Sequence, residues 1–186
     1  MTTERLKECL ERSQVVRMGS YDYVINPVID GIPRVEADVL EEVVDEIARV
    51  GDFDCDVICV PEAMGIPFAA LLSVRLRIPY NIVRKRRYGL PGEIEVRQVT
   101  GYSDKTLYLN GIERGDRVVL VDDVLSTGGT LAAIITALRS VGAVLVDAIV
   151  VVEKGEGRRR VERELGVNVK ALAKVEVRDG KVVVLS

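Results

Sequence analysis

One continuous stretch, Val118 to Val141, limits the fold of this chain more than any other part of the sequence. Its first four residues are apolar, which is typical of a strand covered on both faces in a parallel sheet. A small, glycine-rich turn follows, and apolar residues then return at the helical spacing: Leu131, Ile134, Ile135, Leu138 and Val141. Strand, turn and helix in this order predict an α/β protein with a central, mostly parallel sheet flanked by helices.

The remaining elements are predicted to alternate in the same way. Apolar periodicity predicts helices at 3–13, 36–50, 68–76 and 158–165. Apolar and β-branched runs predict strands at 21–29, 56–60, 80–83, 144–152, 167–177 and 181–185. The polar stretch 88–106 is predicted to be a long loop, and a loop of this length in a small domain usually serves as a functional lid.

Two adjacent carboxylates, Asp122 and Asp123, stand where the strand of the central stretch is expected to end. Carboxylates only accept hydrogen bonds, so their natural partners are sugar hydroxyls or waters bound to Mg²⁺. An ordinary strand–turn–helix connection does not account for them. Two carboxylates about 4 Å apart repel each other by roughly 4 kcal/mol at an effective dielectric constant of about 20.

The turn that follows, here called the anion loop, consists of Ser126, Thr127, Gly128, Gly129 and Thr130. Its glycines let backbone N–H groups approach an anion closely, and the start of the next helix adds the positive end of its dipole. The three hydroxyl groups can donate to the same anion. As an alternative, Thr127 or Thr130 would simply cap the helix. A phosphate cradle beside two acceptors of sugar hydroxyls predicts a ribose 5-phosphate site.

These residues resemble the phosphoribosyl pyrophosphate (PRPP) motif of the type I phosphoribosyltransferases, over the run Val-Leu-Val-Asp-Asp-Val-Leu-Ser-Thr-Gly-Gly-Thr. The resemblance implies the fold of that family as a single domain, residues 1–186, in which about residues 1–35 contribute to a small hood. It implies that Asp122 and Asp123 hold the ribose 2- and 3-hydroxyls while the anion loop binds the 5-phosphate. Mg²⁺ would be held through PRPP and waters near the two aspartates, without a direct protein ligand. A homodimer is also implied.

The composition excludes several other classes of protein. The sequence contains no histidine, which rules out Ser-His-Asp and Cys-His catalysis. A net charge of −3 gives no general affinity for nucleic acid or anionic membranes, and no apolar run is long enough to span a bilayer. The charged N-terminus lacks a signal-peptide core, so a cytoplasmic protein is expected. A Walker A loop is absent from the sequence, which argues against a P-loop nucleotidase.

A second turn between a strand and a helix, here called the pyrophosphate loop, consists of Glu62, Ala63, Met64 and Gly65. It resembles the loop that holds pyrophosphate in the same family, and a plain connection between two elements explains it about as well. Adenine phosphoribosyltransferases commonly have arginine where this chain has Met64, so backbone contacts are the expectation here.

Arg84 and Lys85 follow the next strand along the chain. They match the Arg-Lys pair that follows the equivalent strand in adenine phosphoribosyltransferases, which implies that they hold pyrophosphate. The alternatives for the basic run 84–87 are a solvated patch or a nucleic-acid contact.

Lys154, at the end of the strand after the central helix, matches the lysine that the 6-oxopurine enzymes of the family use to donate to the purine O6. A donor-only ammonium suits hypoxanthine, guanine or xanthine and opposes the amino group of adenine. Tyr21, Tyr23 and Ile25 lie in the segment that resembles the hood. They are candidates to contact the base, and core packing explains them equally well.

The predicted lid resembles the flexible catalytic loop of the family. The catalytic glutamate of the adenine enzymes aligns with Gly101 here, which leaves Glu93, Glu95 and Asp104 as candidates for acid–base catalysis.

Taken together, the resemblance implies a purine phosphoribosyltransferase that converts PRPP and hypoxanthine or guanine into IMP or GMP and pyrophosphate. An enzyme specific for adenine, or for xanthine, is the alternative within the same class. A PRPP-sensing regulator without catalysis is the alternative from another class. The roughly twenty residues before Tyr21 leave no room for a DNA-binding helix-turn-helix. Such a regulator would therefore act on RNA, through residues 84–87 or 158–160.

Overall fold

A computed structural model describes residues 3–19, 21–100 and 103–185. Within these residues the helices are α1 (Glu4–Glu11), α2 (Pro27–Asp30), α3 (Ala37–Val50), α4 (Gly65–Leu76), α5 (Gly129–Val141) and α6 (Gly157–Leu165). The strands are β1 (Gln14–Met18), β2 (Tyr21–Ile25), β3 (Val57–Pro61), β4 (Tyr80–Val83), β5 (Ile94–Thr100), β6 (Ser103–Leu109), β7 (Arg117–Leu125), β8 (Val144–Lys154), β9 (Lys170–Arg178) and β10 (Lys181–Val184).

A six-stranded sheet with the strand order β10-β9-β8-β7-β3-β4 forms the centre of the fold. Neighbouring strands run parallel, except that β9 and β10 form an antiparallel hairpin. This arrangement confirms the predicted α/β fold with a mostly parallel sheet. Because parallel strands point the same way, the loops after β3, β4, β7 and β8 emerge at one edge of the sheet.

Helices cover both faces of the sheet, which explains the continuous apolar runs in its central strands. On one face, α1, α3 and α4 bury a set of apolar side chains against the strands: Leu6, Leu10, Val43, Ile47, Phe68 and Leu72. On the other face, α5 and α6 bury a second set: Leu131, Ile134, Ile135, Leu138 and Val161. The sheet is therefore the middle layer of three.

The N-terminal part differs from the prediction of a strand over 21–29. β2 ends at Ile25 because the Asn26 side chain accepts a hydrogen bond from the N–H of Val28 at 2.8 Å, and Pro27 occupies the first turn of α2. β2 pairs with β1, an antiparallel partner that the sequence patterns did not predict. The two strands form a separate small sheet in the segment predicted to be the hood.

The prediction of a long loop over 88–106 was wrong. β5 and β6 pair as an antiparallel hairpin from Ile94 opposite Leu109 to Thr100 opposite Ser103. The hairpin forms because Val96, Leu107 and Leu109 are buried in the core beside α5. The positions 101 and 102 lie outside the described residues, so the alignment of Gly101 with a catalytic glutamate is not tested, and neither is the side chain of Asp104.

In the part of the chain that the structure describes, no helix is both long and apolar enough to cross a lipid bilayer. The three cysteines are free thiols.

Candidate active site

The acidic pair lies inside β7 and not after it, which corrects the predicted strand end. β7 stays paired with β8 as far as Leu125, which lies opposite Glu153. The carboxyl groups of Asp122 and Asp123 lie close enough to act on each other's pKa. Asp122 is only 6% exposed, whereas Asp123 is half-buried. The N–H of Asp123 donates to Oδ1 of Asp122 at 2.9 Å.

Burial makes both carboxyl groups hard to ionise. Burial and the neighbouring charge of Asp123 raise the pKa of Asp122 well above its usual value. The pKa of Asp123 is raised to about 6, chiefly by burial and in part by the charge of Asp30, although the hydrogen bond with Asp122 and the charge of Lys85 act to lower it. Two destabilised carboxylates at the end of a buried strand are typical of a site whose ligand supplies the missing hydrogen-bond donors.

Cys59 lies on β3 near the acidic pair, and its thiol is fully buried. Burial, together with the charge of Asp122, raises the pKa of Cys59 to about 12. A thiol with this pKa stays protonated at neutral pH, so Cys59 is not a nucleophile.

The anion loop opens α5 without a side-chain cap. The N-cap residue is Gly128, with φ 79° and ψ 0°, a left-handed conformation that favours glycine. Thr127 and Thr130 therefore do not cap the helix, which removes the alternative explanation for these residues. The positive end of the α5 dipole faces the end of β7, where an anion would be stabilised.

The pyrophosphate loop follows β3 and leads into α4, which begins at Gly65, three positions before the predicted start of that helix. The peptide between Glu62 and Ala63 is cis. Gly65 is buried, and a Cβ atom there would lie 3.3 Å from Cβ of Val60. This close approach brings the start of α4 against the end of β3. The Met64 side chain lies beside Gly31, at the end of α2, with Sδ 3.5 Å from where a Cβ on Gly31 would be.

Glu62 links this loop to the basic pair. One oxygen of its carboxylate accepts from the N–H of Lys85 at 2.7 Å, and the other lies 3.1 Å from Nε of Arg84. Glu62 therefore holds the start of the basic run against the pyrophosphate loop.

All of these groups meet at one edge of the sheet. Pro61 at the end of β3 lies opposite Val83 at the end of β4, and Leu125 of β7 lies opposite Glu153 of β8. The anion loop, the pyrophosphate loop and the basic pair therefore follow neighbouring strand ends. The acidic pair lies near the end of β7, and Lys154 is the last residue of β8. Ligands of open α/β sheets bind at this edge.

A family model described as "Phosphoribosyl transferase domain" matches residues 33–181. The chain belongs to the phosphoribosyltransferase family. It is 53% identical over 179 residues to a hypoxanthine/guanine phosphoribosyltransferase of Methanothermobacter thermautotrophicus, covering 96% of this chain and 93% of that protein. The protein of the same name from Methanocaldococcus jannaschii is 52% identical, with 97% of this chain and 99% of that protein covered.

The fold of this phosphoribosyltransferase is also found in solved structures of the family. The crystal structure of an adenine phosphoribosyltransferase from Thermoanaerobacter pseudethanolicus superposes with a TM-score of 0.75 at 26% identity, covering 93% of this chain and 99% of that one.

The residues predicted to contact the base have different partners in this phosphoribosyltransferase. Lys154 ends β8, and its ammonium donates to the backbone oxygen of Asp22 in β2, which brings the small sheet to the site. The hydroxyl of Tyr23 donates to Oδ1 of Asp30 at 3.1 Å. Ile25 instead lines a groove with residues of α1 and of the segment before α3. The side chain of Tyr21 lies outside the described residues.

Glu93, a candidate for acid–base catalysis, closes the root of the β5–β6 hairpin. Its carboxylate accepts from the N–H groups of Tyr88 at 2.8 Å and Gly89 at 2.9 Å, and from the amide of Asn110 at 3.1 Å. Burial acts to raise the pKa of Glu93, but these donors and Arg87 outweigh it and lower the pKa. A carboxylate held in this way is a structural clamp.

Two residues near the site were missed by sequence reasoning. Asp30, at the end of α2, binds Tyr23 and the N–H of Asn26, and its charge acts on Asp123. Gly157 opens α6 against the anion loop. The Asn26-Pro27 start and the Gly31 end of α2 were readable as cap signals. No local pattern marks Gly157.

Proposed function

We propose that this phosphoribosyltransferase transfers the 5-phosphoribosyl group of PRPP to hypoxanthine or guanine and releases pyrophosphate. The observation that carries the proposal is that Lys154 shares one edge of the sheet with the acidic pair and the anion loop. Near full-length relatives at about half identity that are named hypoxanthine/guanine phosphoribosyltransferases support it.

The anion loop and the start of α5 would bind the 5-phosphate, and Asp122 and Asp123 would accept hydrogen bonds from the ribose hydroxyls. These donors offset the burial that raises the pKa of both carboxyl groups. The backbone of the pyrophosphate loop, with Arg84 and Lys85, would hold the leaving pyrophosphate.

In the proposed reaction, a ring nitrogen of the base forms a bond to the anomeric carbon of the ribose. The bond from that carbon to the pyrophosphate oxygen breaks, and the proton on the attacking nitrogen passes to solvent water. Positive charge develops on the sugar as the bond breaks, so the chain contributes chiefly by positioning the reactants and by electrostatics. The acidic pair, next to the ribose, would stabilise that positive charge. Arg84 and Lys85 favour the negative charge that gathers on pyrophosphate.

Mg²⁺ fits this site through the ligand and water. Among the described residues, no group of three or more acidic or cysteine side chains is arranged to hold a metal ion. Asp122 and Asp123 carry only acceptors, which suit waters on Mg²⁺ bound to PRPP. When bound, the ion would neutralise part of the pyrophosphate charge.

The choice of base is proposed from the chemistry of Lys154. An ammonium group donates three hydrogen bonds and accepts none, so it complements the O6 of hypoxanthine or guanine and opposes the 6-amino group of adenine. Tyr23, whose hydroxyl donates to Asp30, is also proposed to contact the base. Adenine is the alternative base that the experiment below includes, because the solved structure at 26% identity is named an adenine phosphoribosyltransferase.

The deciding experiment incubates the protein with PRPP, Mg²⁺ and, separately, hypoxanthine, guanine, xanthine and adenine, and quantifies nucleotide and pyrophosphate. The proposal expects IMP and GMP, and no product from an Asp122→Asn/Asp123→Asn double variant. Asp179→Asn, in the exposed turn between β9 and β10, is the matched control. AMP alone would establish an adenine enzyme. PRPP binding without any product would favour the regulator.

We also propose a single domain whose hood includes β1 and β2, a homodimer and a cytoplasmic location. The hydrogen bond from Lys154 to Asp22 ties β2 to the end of β8, which supports a single domain that includes the hood. Sedimentation at several protein concentrations would test the dimer.

A further inference from the structure

The N-terminal turn of α6 lies directly against the back of the anion loop. The N–H of Gly157 donates to the backbone oxygen of Ser126 at 3.1 Å. A Cβ atom on Gly157 would lie 2.1 Å from that oxygen and 2.6 Å from the carbonyl carbon of Thr127. Both neighbours are backbone atoms, which cannot move aside as a flexible side chain does. Only glycine therefore fits at position 157 while the anion loop keeps its shape.

The contact is equally close from the other side. Gly128 has φ 79°, and a Cβ atom there would lie 2.6 Å from Cγ2 of Val161 and 2.8 Å from the backbone oxygen of Gly157. Two glycines thus face each other, one in the anion loop and one in α6. This arrangement lets the two backbones touch, so α6 supports the loop from behind.

Buried charge keeps α6 in this position. Arg158 lies 3.3 Å from Glu153, which is 3% exposed and also accepts from Nζ of Lys174 at 3.0 Å. Glu153 lies opposite Leu125, the residue that immediately precedes the anion loop. Arg158 therefore ties the start of α6 to β8, and through Glu153 to β9, directly beside the loop, which opposes any withdrawal of the helix.

We propose that Gly157 is a positioning residue of the 5-phosphate site. It fixes the backbone of the anion loop in the shape that directs the loop and the start of α5 at the phosphate, although Gly157 itself lies behind the loop. This inference rests on the proposed function of the anion loop. An added Cβ at position 157 would overlap with Ser126 and Thr127, so the backbone of the anion loop has to shift, and its N–H groups no longer point at the phosphate.

The test measures binding of two probes to Gly157→Ala by calorimetry, namely ribose 5-phosphate and pyrophosphate. A displaced anion loop weakens ribose 5-phosphate binding by about tenfold to a hundredfold, the range typical of ångström-scale misplacement. Pyrophosphate, bound on the other side of the site, keeps its dissociation constant within about twofold. A merely destabilised fold would not separate the two probes in this way.

Gly166→Ala is the matched control, because it adds the same methyl group at the opposite end of α6. Gly166 has φ 61° and nothing within 4 Å of an added Cβ, so its substitution strains the end of the helix without touching the loop. Both probes should bind this variant as they bind the parent protein. Unchanged ribose 5-phosphate binding in a folded Gly157→Ala would overturn the inference.

Val161→Ala provides a second variant if Gly157→Ala does not fold. It removes both methyl groups of Val161, including Cγ2, which packs against Gly128, and it leaves the residue at position 157 unchanged. A selective weakening of ribose 5-phosphate binding, by a few-fold, is therefore expected. If Val161→Ala binds both probes as tightly as the parent protein does, the inference is also overturned. Failure of the parent protein to bind ribose 5-phosphate would instead remove the proposed function on which the inference rests, and the inference with it.

Discussion

The ammonium of Lys154 donates a hydrogen bond to the backbone oxygen of Asp22, a residue 132 positions earlier in the chain. This bond joins the end of β8, in the central sheet, to β2, in the small N-terminal sheet. It ties the proposed donor for the purine O6 to the hood segment. The position of the lysine is therefore set by two parts of the fold.

Substitution of Lys154 by alanine is expected to raise the KM for hypoxanthine and guanine by about 10- to 100-fold, because a hydrogen bond to a charged group contributes about 1.5–3 kcal/mol. Steady-state kinetics with each base measure this effect. Lys181→Ala, at the exposed start of β10, removes the same charge away from the site and should behave as the parent protein. Intact use of hypoxanthine by Lys154→Ala would contradict the role of the lysine.

At the opposite edge of the sheet, Lys170 is expected to matter for stability alone. Its ammonium lies 2.5 Å from Oδ2 of Asp147 and 2.8 Å from the backbone oxygen of Val50, and Asp147 is 8% exposed. Lys170→Met leaves a buried carboxylate without its cation, which should lower the free energy of unfolding by about 1–3 kcal/mol after allowance for the partly exposed lysine.

Chemical denaturation measures that loss, and the dissociation constant for ribose 5-phosphate should stay unchanged in Lys170→Met. A weaker affinity for ribose 5-phosphate in this variant would show that the two edges of the sheet are coupled.

Asp123 is expected to make the ligand-free protein less stable as the pH rises. Its pKa is raised from 3.8 to about 6, so the folded state keeps a proton that the unfolded chain has already lost. The free energy of unfolding should therefore fall as the pH rises from about 4 through about 6. Above that range, Asp123→Asn should be more stable than the parent protein by up to about 3 kcal/mol.

Thermal unfolding at a series of pH values tests this linkage, with Asp179→Asn as the control for loss of a carboxylate. The stabilised Asp123→Asn should at the same time bind PRPP more weakly, because the amide is a poorer acceptor for a ribose hydroxyl. If Asp123→Asn is less stable than the parent protein at neutral pH, burial of the ionised Asp123 does not lower the free energy of unfolding, and the prediction is wrong.

Much of this arrangement could be predicted because apolar periodicity and turn chemistry are local. The buried run Val118 to Val121 and the helical face of α5 report directly which surfaces are covered, and the order of elements then places the loops at one edge of the sheet. The extension of β7 through Asp122 was not predicted, since it depends on pairing with β8, and carboxylates are rare inside buried strands.

The features that escaped prediction depend on contacts between distant positions. In the β5–β6 hairpin, apolar residues alternate only over two short stretches, Ile94 to Val96 and Leu107 to Leu109, and the polar residues between these stretches obscure the pattern. Gly157 is constrained by the backbone of Ser126, which lies far away in the sequence and close in space. A single sequence does not show such contacts, because nothing beside Gly157 in the chain requires a glycine.

Glu93 is expected to act as a clamp on the hairpin root and not as a catalytic acid or base. Glu93→Gln removes the charge that attracts the N–H groups of Tyr88 and Gly89, so these amides should exchange with solvent faster, as hydrogen–deuterium exchange can measure. Because the pKa of Glu93 is lowered, protection should persist at neutral pH and be lost as the pH falls below 4.5. Glu113→Gln, at an exposed position just after β6, is the control. Loss of turnover in Glu93→Gln with unchanged amide protection would instead assign Glu93 to the chemistry.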